Sequence, residues 1–307
     1  MLKTLRRRFI LFNMLVVVLL IAVLTGTIFV GTKNELSLHR ILFVAIFCIL
    51  IAFIGSYLIS KQAVLPIKKA WQKQLDFTAD ASHELRTPLA VIRTNLEIVM
   101  DSPEETVASQ MKWLENIHIE QQHMERLVAD LLTISRSDTG EEEFQRTAFA
   151  LDILLQEITE KFLPICQQKA LQLDVAIAPH VSFFGDQQRI NQLVMILLDN
   201  AYQYSNSGGT ITLTLKDLTN EVQLSIKDTG IGISEENLDK LFDRFFRVTD
   251  SRKQNPDGLG LGLAIAKLIT EQHQGNLTVT SELGVGSEFR ISLPKTSNAT
   301  LEVLEDS

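Results

Sequence analysis

Cysteine is nearly missing from this 307-residue chain: there are two, Cys48 and Cys166, far apart and in different chemical settings. That excludes a disulfide framework and a cysteine zinc site, and it suits a reducing compartment for the soluble part. Net positive charge is missing beyond residue 60. Residues 1–60 carry six Lys/Arg and one acid, a net of +5, while the remaining 247 residues carry 23 basic and 36 acidic residues, a net of −13. An acidic body repels phosphate backbones, so nucleic-acid binding driven by bulk charge is excluded. There is no internal repeat and no low-complexity tract, and at 46% hydrophobic residues the composition is neither disordered nor collagen-like. What remains is a chain long enough for about two globular domains. Its mean hydropathy of +0.13 is concentrated at the N-terminus.

From Phe9 to Val30 run 22 residues without a charge, and from Ile41 to Ile59 run 19 more. As helices these are ~33 and ~28 Å long, matching a ~30 Å hydrocarbon core. Lys3, Arg6, Arg7 and Arg8 precede the first run, and Lys61, Lys68, Lys69 and Lys73 follow the second. The excess of Lys/Arg predicts two transmembrane helices in a plasma membrane, with both termini cytoplasmic and the loop 31–40 outside. The other reading of the first run is a cleaved signal peptide, although such apolar regions usually span 7–15 residues. A ten-residue loop is too short to fold a ligand-binding domain. The stimulus is therefore expected through the lipid bilayer or from a membrane protein partner.

The predicted domains are a membrane hairpin (1–60), a linker with a helical hairpin (61–137), an α/β domain (147–296) and a tail (297–307). In the helical hairpin, Val107, Met111, Leu114, Ile117, Met124, Leu127, Val128, Leu131 and Ile134 form one apolar stripe at helical spacing. Leu75, Phe77, Leu85, Leu89, Ile92, Leu96 and Val99 form the facing one, and Asp101-Ser102-Pro103-Glu104 reads as helix stop and N-cap between them. Two such helices cannot bury both stripes alone, so a homodimeric four-helix bundle is expected; the other packing is a single hairpin against the next domain. Residues 138–146 read as a polar linker. Beyond it, helices are expected at 151–168, 186–204, 235–246 and 260–274, and strands at 171–177, 210–216, 221–227, 276–281 and 287–293. Helices on one side of a mostly antiparallel sheet, an α+β sandwich, is the economical packing.

Chemistry-bearing residues lie at five places. In Phe77-Thr78-Ala79-Asp80-Ala81-Ser82-His83-Glu84-Leu85-Arg86-Thr87-Pro88-Leu89, small and polar flanks suit an exposed His83. Glu84 beside it is placed to accept its Nδ1 proton, Thr87 lies one turn on, and Pro88 strips the Glu84 carbonyl of its helical partner. Asp228-Thr229-Gly230-Ile231-Gly232 follows a strand, where the carboxylate can accept from an exocyclic amine. Gly258-Leu259-Gly260-Leu261-Gly262 opens a helix whose bare N–H groups favour phosphate. Asn200 offers an amide oxygen for a hard cation, and Gly284-Val285-Gly286-Ser287 sits in the last hairpin. Taken singly, each has an ordinary reading as a surface histidine or a tight turn.

In this order, with Phe242-Asp243-Arg244-Phe245-Phe246-Arg247 before the glycine run, residues ~65–295 resemble the bacterial sensor histidine kinases of two-component systems. The resemblance implies a HisKA-type dimerisation hairpin and a Bergerat-type ATP-binding domain. It implies His83 as phosphoacceptor, Glu84 as its assisting acid, and Thr87 as the residue that orients water in dephosphorylating a partner response regulator. It implies ATP and Mg²⁺ as cofactors. Asn200 would hold the Mg²⁺ and Asp228 would read adenine. Arg244 and Arg247 would lie near the γ-phosphate, with Gly230, Gly232, Gly258, Gly260 and Gly262 in the two glycine boxes. Tyr204 and Leu261 count among its nucleotide-binding positions. The lid is expected at roughly 248–257. The sequence departs from the family pattern at Ile196, where an asparagine is common, at Gln203, where Lys or Arg reaches the phosphates, and at Leu259, where a small residue is usual. No HAMP relay fits between Ile59 and His83, so residues 60–82 read as direct helical coupling bent or broken at Pro66. Two other readings stay open: an ATPase of the wider superfamily without a histidine acceptor, and a regulator silenced as a kinase at positions 196 and 203.

Overall fold

The computed structural model describes residues 38–139, 144–248 and 258–295, and in addition Val16, Leu19, Ala22, Val23 and Gly26. The chain divides into two compact units, Met1–Ala79 and Asp80–Ser307. Helix α1, Leu38–Asp101, is a continuous helical backbone of 64 residues, so the break expected at Pro66 does not occur. A proline costs a helix interior about 3 kcal/mol, which a long run of bonded turns on each side can offset. Among the described residues no helix is long and apolar enough to cross a membrane. The run 9–30 lies outside the described residues, apart from the five named above. In the run 41–59, Phe43, Ile46, Phe47 and Leu50 are exposed.

In the second unit, α1 ends at Asp101 and α2 runs Val107–Thr139. The cap sits later than the sequence suggests. Thr106 accepts the Ser109 N–H on its hydroxyl at 3.3 Å, while Pro103 lies in the connecting turn. Gln110 reaches back to the carbonyls of Ser102 (2.8 Å) and Val99 (3.3 Å), satisfying the open end of α1. Leu127 and Ile134 are buried, but Leu89, Leu96, Met100, Val107, Met111, Val128 and Leu132 are exposed.

The α/β domain holds β1 (Thr147–Ala150), α3 (Leu151–Gln168), β2 (Gln172–Ile177), β3 (Ser182–Gly185), α4 (Gln187–Tyr204), β4 (Thr210–Asp217) and β5 (Glu221–Asp228). There follow the single turn α5 (Glu235–Leu238), α6 (Gly262–Gln272), β6 (Asn276–Glu282) and β7 (Gly286–Pro294). Five strands pair in the order β2-β4-β5-β7-β6, parallel only at β2–β4. The register stacks Leu215, Leu224 and Ile291 in one row and Leu213, Ile226 and Phe289 in the next. These alternate residues are buried while Thr212, Thr214, Gln223 and Ser225 between them are not, so one face carries the core. Against that face α4 brings Ile190, Leu193, Val194, Leu197 and Leu198, and α6 brings Ile265 and Ile269. Each such buried side chain contributes about 1.5–3 kcal/mol relative to exposure. This is the expected α+β sandwich.

Two differences from the sequence reading come from partners distant in the chain. β1 and β3 form a separate antiparallel pair of four residues each, too short to show alternation. The helix expected at 235–246 is α-helical only over Glu235–Leu238; the chain then continues in tight turns (Leu241 N–H to the Leu238 carbonyl, Asp243 to Lys240) until Phe245 turns back with φ +60° and donates its N–H to the Gly260 carbonyl at 3.0 Å. The linker's last residues are anchored. Phe144 packs edge-on against His273 at 4.6 Å, the Gln145 N–H donates to Asp186, and Arg146 donates to the Gln272 carbonyl.

Candidate functional site

A cavity of about 940 Å³ opens beside the polar end of β5. Asp228 closes that strand with 5% of its surface exposed. Its Oδ1 accepts the N–H of Gly230 at 2.8 Å and of Ser287 at 3.3 Å. Burial pushes its carboxyl up, and these two backbone donors pull it part of the way back. Gly232 follows at φ +67°, where an added Cβ would stand 2.0 Å from the Glu282 carbonyl oxygen, so only glycine lets the loop turn under the cavity. Gly260 meets the same constraint at φ +69°, against the backbone of Phe245.

Of the residues singled out in the sequence, Asn200, Tyr204, Asp228, Gly232, Arg247, Gly258, Gly260 and Gly262 line this one cavity, as do Ile196, Gln203 and Leu259. Gly230 stands behind it, tied to Asp228. Arg244 is half-buried and off the wall. Leu261 is fully buried, its carbonyl accepting the Ile265 N–H, so it belongs to the core under α6. Of the expected lid, residues 249–257 lie outside the described residues.

The sequence reading missed the cavity's far wall, which is helix α2 of the hairpin. His123, Arg126 and Asp130 face the cavity, at helical spacings of three and four. Their spacing is legible in the sequence, but nothing local says what a polar stripe on one helix faces. Burial pushes the carboxyls of Asp130 and Asp199 up, and the Arg126 guanidinium draws both down. α2 is tied to the domain by Gln272, whose side-chain amide donates to the Ser137 hydroxyl at 3.3 Å.

His83, Glu84 and Thr87 are all exposed on α1, with Pro88 buried beneath them. None of the three lines the cavity. His83 and Glu84 make no hydrogen bond with each other, because successive residues on a helix project about 100° apart. The structure thus gathers the nucleotide-type residues in one place and leaves the histidine free on another surface.

Residues 73–140 match the His Kinase A (phospho-acceptor) domain, and residues 185–297 match the histidine kinase-, DNA gyrase B- and HSP90-like ATPases. The chain belongs to the sensor histidine kinases. It is 36% identical over 250 residues to the sensor histidine kinase RppB of Synechocystis and 35% identical over 246 residues to the signal transduction histidine-protein kinase BaeS of Escherichia coli. These alignments cover 80% and 79% of the chain, and the chain spans about half the length of the two relatives, 54% and 51%. Among solved structures, full-length ShkA in complex with AMPPNP superposes with a TM-score of 0.55 at 25% identity, over 72% of this chain and 46% of that one. Acinetobacter baumannii AdeS shares the fold with a TM-score of 0.57 at 24% identity, over 70% of this chain and 98% of that one. The phospho-acceptor match spans most of the hairpin described above, and the ATPase match holds most of the cavity wall.

Proposed function

We propose that this chain is a membrane sensor kinase that phosphorylates itself on His83 from Mg·ATP and passes the phosphoryl group to an aspartate of a response regulator. The observation that carries the reading is the convergence of Asp228, Asn200 and the Gly258–Gly262 segment on one cavity in a chain that also presents an exposed His83 in a phospho-acceptor hairpin. Adenine is read by Asp228, and the phosphates lie toward Asn200, Arg247 and the N-terminus of α6, where unbonded N–H groups favour anions. Mg²⁺ fits, because the Asn200 amide oxygen is a hard donor on the wall; Asn200 would hold it together with phosphate oxygens, and it would neutralise their charge.

With the ATP-binding domain swung onto α1, Nε2 of His83 attacks the γ-phosphorus in line. The P–N bond forms as the bond to the departing ADP oxygen breaks, and the Nδ1 proton leaves to Glu84 once its side chain has turned from its present direction toward the ring. Positioning and charge neutralisation supply most of the rate. Thr87, one turn from His83, orients the water that dephosphorylates the regulator. Tyr204 packs on the nucleotide from the cavity wall, while Arg244, which is off that wall, is assigned to the γ-phosphate on the family resemblance alone.

Membrane attachment is supported by the two uncharged runs, their basic flanks and the exposed Phe43, Ile46, Phe47 and Leu50. A homodimer is supported by the apolar side chains exposed along both hairpin helices. With a ten-residue loop, the stimulus enters through the bilayer or a membrane protein partner and biases a two-state helix arrangement.

The test is incubation of the full chain in lipid nanodiscs with γ-labelled ATP and Mg²⁺, beside His83→Gln and Asn200→Ala. Acid-labile, alkali-stable label that disappears in both variants is expected. Label that survives His83→Gln, or wild type that hydrolyses ATP without being labelled, would overturn the reading.

A further inference from the structure

The charge around the cavity is unfavourable for a triphosphate. Its described lining holds three carboxylates, Asp130, Asp199 and Asp228, against two guanidiniums, Arg126 and Arg247. Position 203, where the family resemblance expects Lys or Arg, is a neutral glutamine on the cavity wall. Lys169 does not replace it. Its ammonium donates to the Tyr202 carbonyl at 2.7 Å and the Gln203 carbonyl at 3.1 Å and lies over the Tyr202 ring, so it is committed to closing the end of α4.

Arg126 comes from the other wall. It stands between His123 and Asp130 on the stripe of α2 that faces the cavity. It lines the cavity together with Asp199, Asn200 and Gln203 from the last turns of α4, the part of the wall assigned above to the cation and phosphates. A guanidinium has five donors in a rigid fork and can serve Asp199 and a phosphate oxygen together.

We propose that Arg126 is a phosphate ligand of the nucleotide cavity, supplying from the hairpin the positive charge that Gln203 does not. The proposal rests on reading the cavity as the ATP site. It couples the nucleotide to the hairpin: a bound triphosphate favours the domain seated against α2, and by linkage the seated domain holds the triphosphate more tightly.

The experiment measures equilibrium binding of AMPPNP with Mg²⁺, and of adenosine, to the full chain in nanodiscs. It compares wild type, Arg126→Ala, Gln203→Lys and the double variant. A lost charge-assisted phosphate contact is expected to weaken AMPPNP roughly tenfold or more in Arg126→Ala, while adenosine changes less than about twofold. Adding Gln203→Lys should recover most of the loss. Unchanged AMPPNP affinity in Arg126→Ala would overturn the proposal and leave Arg126 as a partner of Asp199 only. Equal weakening of both ligands would overturn it as a packing effect, and loss without rescue would overturn the substitution for position 203. If wild type bound adenosine and AMPPNP not at all, the ATP-site reading itself would fall.

Discussion

One oxygen of Asp228 is committed to the N–H groups of Gly230 and Ser287, which leaves Oδ2 to face the cavity. An asparagine there can keep the first role through its own carbonyl oxygen. It cannot keep the second, because its amide presents donors to the exocyclic amine of adenine. Asp228→Asn is therefore expected to fold normally and to lose roughly 100-fold in ATP affinity, the scale set by a buried donor left facing a donor. Calorimetric titration with circular dichroism as the fold control checks this; an affinity within about threefold of wild type would remove Asp228 as the adenine reader. Because burial pushes this carboxyl up, the native state holds its proton more tightly than the unfolded chain does, and ATP affinity should weaken as pH falls through that raised value. The aspartate was legible as a motif. That Ser287 helps hold it, from a hairpin nearly sixty residues away, was not, since only the β5–β7 pairing brings them together.

Elements with a clean period were readable. The helix expected at 151–168 has those bounds, and the alternation at 210–216 and 221–227 placed both central strands to within a residue. What failed depends on distant partners: the short β1–β3 pair, the turn at Phe245, and the anchoring of residues 144–146. The last is a junction of linker, α4 and α6 built on His273. Its Nδ1 donates to the Ile269 carbonyl at 2.8 Å, while its Nε2 accepts the Asp186 N–H at 3.1 Å, an arrangement that requires a neutral ring. Asp186 in turn caps α4 through the N–H groups of Gln188 and Arg189. Burial holds His273 below the ordinary histidine value; the Asp186 carboxylate opposes this and the Arg146 guanidinium adds to it. The sign follows from linkage. The unfolded chain binds the proton more readily, so this contribution to stability is whole above pH ~6.5 and is lost as pH falls below it toward the depressed native value. Thermal melts between pH 8 and 5 should show a falling Tm, with hydrogen exchange rising first at residues 144–146 and 187–190. His273→Gln should start about 1–3 kcal/mol less stable and lose part of that slope. An unaltered slope would mean other groups set it.

At the scale of the whole molecule, one hairpin leaves too much apolar surface in water. Leu89 and Met100 are 57% and 68% exposed, and Leu96, Val107, Met111, Val128 and Leu132 are exposed with them, while their helices already bury Leu127 and Ile134. Isolated exposed leucines need no explanation, but a run along two adjacent helices at helical spacing does. A second copy presenting the same stripes would bury them in a four-helix bundle, and the alternative in the sequence reading, the hairpin lying wholly against its own domain, would not have left them exposed. The stripe is separate from the cavity, whose hairpin wall is His123, Arg126 and Asp130. Charge placed on the stripe should therefore divide two properties that a general loss of fold would damage together. Leu96→Asp combined with Met100→Asp is expected to halve the protein mass measured by light scattering in detergent and to cut phosphorylation of His83 at least tenfold if transfer needs the partner copy. Adenosine affinity should stay within about twofold, since Asp228 and its backbone partners are untouched. A variant that remained dimeric would show that α1 does not carry the interface there. If the variant lost adenosine binding as well, the two aspartates would have unfolded the domain, and charge at Val107 and Met111, at the start of α2, would be the next division to try.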